Sequence, residues 1–107
     1  MEFNLKYQTE EIAFIEFNTG PDPIEPEILK TIQPPHFMDQ KFAHKGVILS
    51  GQGPIWLYAY LVHFYHPVRW IGIHVPRLGG AIVTSRHTPE YQPGDLVPEI
   101  KWTANGK

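Results

Sequence analysis

Residues 46–75 read GVILSGQGPIWLYAYLVHFYHPVRWIGIHV, and the fold turns on this stretch. Gly46 to Ser50 is a short, nearly continuous apolar run, the pattern of a strand buried on both faces. The loop Gly51-Gln52-Gly53-Pro54 follows. From about Pro54 to His66 comes an apolar segment free of Asp, Glu, Lys and Arg, which predicts a helix covered on more than one side and ended by Pro67. Trp70 to Val75 is a second apolar strand. Strand, helix and strand within about thirty residues predict a parallel βαβ unit with a right-handed crossover.

On the carboxyl side, Leu78-Gly79-Gly80 turns the chain into Ala81–Ser85, predicted to pair antiparallel with the strand before it. Residues 88–107 are rich in proline and glycine, with one edge strand expected at Glu99-Ile100-Lys101-Trp102. On the amino side, Phe3, Leu5 and Tyr7 alternate with polar residues, Thr9-Glu10 turns, and Ile12–Phe17 reads as a second strand, so an N-terminal hairpin is expected. Residues 20–26 are a stiff proline-bearing connection. Pro26 opens a short helix through Ile32, and Pro34-Pro35 stops it. The expected architecture is one α/β domain over residues 1–107, small and Rossmann-like, with a βαβ unit, an N-terminal hairpin and an antiparallel edge strand.

Composition narrows the function classes. The chain has no cysteine, so disulfides and thiolate metal sites are excluded. The uncharged run Pro54–Val68 is too short to span a membrane, and no signal segment opens the chain, so a cytoplasmic protein without membrane contact is expected. A net charge of −2 gives no footprint for double-stranded DNA. All 11 acidic residues lie at or before Asp39 or at or after Glu90. The acid-free centre, with Arg69, Arg77, His63, His66 and His74, fits either a positive surface or a core, where carboxylates are rare anyway.

Ser50-Gly51-Gln52-Gly53 lies between the carboxyl end of a strand and the amino end of a helix. Glycines there admit a ligand to the backbone and first-turn amides favour an anion; the competing reading is turn geometry alone. Arg77 follows the next parallel strand on the same rim, suited to hold a phosphate or simply to be solvated. His63 and His66 share a helical face, but no nearby carboxylate completes a metal set, so no metal ligands are assigned and acid–base work is the favoured role. Trp56, Tyr58, Tyr60, Phe64 and Tyr65 are core or interface aromatics, with adenine stacking the alternative.

Read as one string, Lys45–Leu57 (K-G-V-I-L-S-G-Q-G-P-I-W-L), then Leu61-Val62-His63, Tyr65-His66 and Pro76-Arg77-Leu78-Gly79, resembles the small ring nucleases of type III CRISPR systems, in the CRISPR-associated Rossmann-fold superfamily. The Pro26–Lys30 helix is similar too, and the resemblance covers residues 24–86. It implies cyclic tetraadenylate as ligand, a homodimer assembling to a tetramer that sandwiches it, and manganese-supported phosphodiester cleavage. Carried over by position, the family's serine falls on Ser50, its first histidine on His66 and its arginine on Arg77; together with the glycine-loop reading, the ligand-binding candidates are Ser50, Gly51, Gln52, Gly53 and Arg77. The resemblance implies catalytic roles for His66, Arg77 and the Arg86-His87 pair, where the family's closing histidine falls on Arg86. The family's aspartate falls on Val75, so the sequence does not support a metal site.

The function expected is therefore a phosphodiesterase that cleaves cyclic tetraadenylate and switches off type III CRISPR antiviral signalling. Without the aspartate, the ribose 2′-hydroxyl attacks the adjacent phosphate, with histidine as acid or base. The alternatives are a sensor or sponge that binds without cutting, and a structural oligomerisation domain.

Overall fold

The computed structural model describes residues 1–103. Its sheet runs in chain order, β1 (Glu2–Gln8), β2 (Ile12–Asn18), β3 (Gly46–Ser50), β4 (Trp70–Val75), β5 (Gly80–Arg86) and β6 (Leu96–Pro98). The central pairings β2–β3 and β3–β4 are parallel, and the outer ones, β1–β2, β4–β5 and β5–β6, are antiparallel. The result is a small mixed α/β domain with helices α1 (Ile55–Phe64) and α2 (Ile100–Thr103). No described helix is long and apolar enough to cross a membrane.

The expected hairpin forms because Thr9 closes its turn: its hydroxyl accepts the amides of Glu11 at 3.1 Å and Ile12 at 3.0 Å. β2 and β3 are nearly continuous apolar runs because both of their faces are covered. On one face, Leu57, Leu61 and Tyr65, four apart along the helical segment, pack on Ala13, Ile15, Phe17, Val47, Leu49 and Ile71. Phe42 joins them from the β2–β3 crossover, and the Tyr65 hydroxyl donates to the Pro35 carbonyl at 2.6 Å, so crossover and α1 lie on the same face as one layer. Residues 26–30 make a 3-10 turn rather than the longer helix expected to Ile32.

The second face holds Ile12, Phe14, Ile48, Trp70, Ala81, Val83 and Val97 under Trp102. Here the expectation of a strand at Glu99–Trp102 is corrected. Strand pairing stops at Pro98, which has no amide to offer the ladder. The Glu99 carbonyl then accepts the amides of Trp102 at 3.1 Å and Thr103 at 3.0 Å, winding a helical turn that stacks Trp102 on Phe14, with ring centroids 5.4 Å apart. The last four residues of the 88–107 reading lie outside the described residues.

Register is fixed by sterics at the start of β3. Gly46 is the parallel partner of Trp70, and a Cβ on Gly46 would fall 1.9 Å from the indole. Gly46→Ala is therefore expected to destabilise the domain by about 1–3 kcal/mol through overpacking. Trp102→Ala, which removes the lid of the second face, should cost about 3–5 kcal/mol. Urea titrations check both, and an unshifted midpoint for either would contradict the packing described.

Candidate functional site

The carboxyl ends of the parallel strands form one rim of the sheet. Because Gly46 pairs with Trp70 and Leu49 with Ile73, the next step brings Ser50 of β3 beside His74 of β4. Both point to the face that carries Phe14 and Ile48, since side chains alternate along a strand. Ser50 Oγ and His74 Nδ1 are 2.9 Å apart, and His74 Nε2 lies 2.9 Å from Glu99 Oε2. A carboxylate only accepts, so Nε2 carries a proton; in the neutral imidazole Nδ1 then offers its lone pair, and the Ser50 hydroxyl donates to it. The imidazole is mostly buried, its side chain 15% exposed, packed edge-on against Phe14 and Trp102.

Glu16 of β2 is the parallel partner of Ser50, completing a polar row of Glu16, Ser50 and His74 across the rim. The sequence reading found no carboxylate here, and the fold corrects it: Glu16 arrives from the N-terminal hairpin and Glu99 from the C-terminal segment. Glu16 also pairs with Lys6 at 3.5 Å.

The glycine loop sits above this row. A Cβ on Gly51 would lie 2.5 Å from the Phe17 carbonyl oxygen, so packing demands glycine there, whereas one on Gly53 would meet only side-chain atoms, Leu57 Cδ2 at 3.0 Å first. The Tyr58 hydroxyl donates to the Gly51 carbonyl from beneath, and burial raises its pKa, which keeps it a donor. Gln52 is exposed. Between the loop and the ends of β1 and β2 lies an open groove of about 510 Å³, its polar lining including Asn4, Glu16, Asn18, Thr19 and Gln52. Arg77 is exposed on the turn after β4, at the same end of the sheet.

The remaining candidates lie elsewhere. α1 starts at the rim and ends at the amino end of β4, so His66 is at the opposite end of the sheet, the heel. β5 runs antiparallel to β4 and pairs Arg86 with Trp70, bringing Arg86 and His87 to the heel as well. His66 and His87 meet edge to face with ring centroids 5.0 Å apart. His87 Nε2 is 3.0 Å from the His66 carbonyl, which makes that nitrogen the protonated one. The Arg86 guanidinium donates to the Thr88 carbonyl at 3.2 Å, and Arg69 pairs with Glu90 at 2.9 Å. The acid-free centre is thus core, with its arginines and histidines divided between the two ends of the sheet, beside Glu16 and Glu99 at the rim and Glu90 at the heel.

Manganese, implied by the resemblance, does not fit the rim of this chain. Both nitrogens of His74 are engaged, by Ser50 and Glu99, leaving no lone pair for a cation. Among the described residues, no three His, Asp or Glu side chains converge as a ligand set.

The Ser50–His74 contact was legible in principle, because the expected strands begin at 46 and 70 and the same offset pairs 50 with 74. Glu99 was hidden by its assignment to a strand.

Residues 18–98 match the family described as CRISPR-associated protein (Cas_csx3), a span holding the glycine loop, Arg77 and both heel histidines. An uncharacterized protein of Aquifex aeolicus (strain VF5) is 46% identical over 102 residues, covering 95% of this chain and 88% of that protein. The chain is therefore a member of the CRISPR-associated Cas_csx3 family.

Proposed function

We propose that this chain is a cytoplasmic ring nuclease that binds and cleaves cyclic tetraadenylate and so switches off type III CRISPR signalling. The observation that carries the reading is the division of the candidate residues between two ends of one sheet. Ser50, Gly51, Gln52, Gly53 and Arg77 lie at the rim, and His66, Arg86 and His87 at the heel. The glycine loop and Arg77, offered for ligand binding, thus stand at the opposite end of the sheet from His66 and His87, offered as the acid and base of ring cleavage. The resemblance implies two dimers around the ligand, and stacking them rim against heel is the arrangement that joins the halves.

The dimer itself is supported by α1. Ile55 is 88% exposed, and with Tyr58, Ala59, Val62, Ile73 and Thr84 it lines an open, mostly apolar depression of about 740 Å³ beside the sheet. A helix without a charged face covers such a surface with a second copy of itself. The parallel β2–β3–β4 centre, with both crossovers on one face, supports the Rossmann-like reading of the domain.

In the proposed reaction the ribose 2′-oxygen attacks the adjacent phosphorus in line, forming a 2′,3′-cyclic phosphate while the 5′-oxygen leaves. His66 takes the 2′-hydroxyl proton and His87 supplies one to the leaving oxygen, with Arg77 from the facing chain and Arg86 offsetting charge on the phosphate. No step passes through a metal.

Radiolabelled cyclic tetraadenylate incubated with the protein, then run on native and denaturing gels, tests the proposal. Ligand should shift on the native gel and be cut on the denaturing one. Binding without cutting would establish the sensor reading instead, and neither would leave a structural domain. Arg77→Ala should weaken binding about 10–100-fold, the worth of a charge-assisted hydrogen bond. His66→Ala should slow cleavage about 10²–10⁴-fold with binding retained. A chelator should leave the rate and the cyclic phosphate ends unchanged, and rate loss in EDTA would overturn the metal-free route. Ala59→Glu should convert a sedimenting dimer to a folded monomer; a monomeric wild type would contradict the α1 interface.

A further inference from the structure

We propose that Ser50, His74 and Glu99 form a second hydrolytic centre, in which Ser50 is an activated nucleophile toward small phosphoric or carboxylic esters. The three groups are linked in one hydrogen-bonded chain, with Ser50 Oγ to His74 Nδ1 at 2.9 Å and His74 Nε2 to Glu99 Oε2 at 2.9 Å. This meets the geometric requirement for an activated hydroxyl: nucleophile and base in hydrogen-bond reach, and the base oriented by a third group. The order of roles is hydroxyl, imidazole and carboxylate, with the ring presenting Nδ1 to serine and Nε2 to the acid; roles and geometry define such a chain, not sequence order. The elements differ too. Ser50 ends β3, His74 is the penultimate residue of β4, and Glu99 lies between β6 and α2, so the chain assembles only in the folded domain.

The surroundings favour reactivity. Phe14 and Trp102 pack against His74 at 5.4 and 5.7 Å and shield the ring from water, while Glu99 keeps a side chain 42% exposed. Ser50 is half-buried at the strand end, next to the partly exposed Gly51 and ahead of the exposed Gln52 and Gly53. Since the hydroxyl hydrogen points to His74, the lone pairs of Oγ are free to meet an electrophile.

The step balances. As Oγ bonds to phosphorus or carbonyl carbon, Nδ1 takes its proton, and Glu99 stays ionised on Nε2–H. The ester oxygen leaves with the proton from Nδ1. Water then attacks the seryl ester, gives its proton to Nδ1, and Oγ departs and recovers it. The inference does not depend on cyclic tetraadenylate being the ligand.

The absence of cysteine from the chain allows a clean test. Ser50→Cys places a single thiol in the relay, where an adjacent imidazole increases the thiolate fraction. At pH 7 it should be alkylated by iodoacetamide at least about tenfold faster than the same thiol in Ser50→Cys with His74→Gln. Glu99→Gln in the Ser50→Cys background should fall between them. Loosened packing would speed the double variant, so a slower rate reports the base and not access. In parallel, wild type treated with diisopropyl fluorophosphate should carry the label on Ser50, and Ser50→Ala should not acquire it. Equal or faster alkylation without His74, or no label at Ser50, would overturn the proposal whatever the outcome with cyclic tetraadenylate.

Discussion

The contact between Gly46 and the Trp70 indole is the constraint from which the rest follows. It occupies the space where any other residue would place a Cβ, and so pins the parallel register of β3 on β4. A slip of one residue would turn every side chain of β3 to the opposite face. Ile48 would leave the Trp102 layer, Leu49 would leave α1, and Ser50 would turn away from His74. The packing of the centre and the polar row at the rim are thus consequences of one steric fit.

Around that centre the domain is built by closing both faces with short pieces of chain. The first face uses α1 and the crossover, tied together by the buried Tyr65 hydroxyl on Pro35. The second uses Trp102, held by the turn that Glu99 begins, with Tyr91 over Trp70 and Tyr7 against Phe14. Glu99 therefore serves both layers of the account: its backbone starts the helix that seals the core, and its carboxylate reaches His74. Packing and polar chemistry are coupled at that residue.

The elements with strong periodicity were legible in the sequence. Continuous apolar runs identified β3 and β4, alternation identified β1, and the uncharged segment before Pro67 identified α1. What was not legible depended on long-range partners. Glu99–Trp102 has the look of an edge strand, and only the stop at Pro98 and the open space over Phe14 turn it into a helix. Acid-free local sequence suggested a rim without carboxylates, yet Glu16 and Glu99 arrive from chain segments far from residue 50. The glycine loop, Arg77 and His66 were legible as candidates from residue type and position, and the loop and Arg77 as sharing one rim, whereas Arg86 came from the resemblance and its grouping with His66 and His87 from neither. Topology separates the two groups, because α1 carries His66 away from the rim at which it starts and β5 returns to the same heel with Arg86 and His87.

Each chain therefore holds two incomplete halves of the proposed phosphodiesterase site. Mixing Arg77→Ala with His66→Ala protein and measuring cyclic tetraadenylate cleavage tests this most directly. Each variant alone lacks one half at every junction, whereas mixed assemblies contain junctions with an intact rim from one chain and an intact heel from the other. The account predicts that the mixture regains cleavage that neither variant has. A mixture as inactive as its components would contradict it.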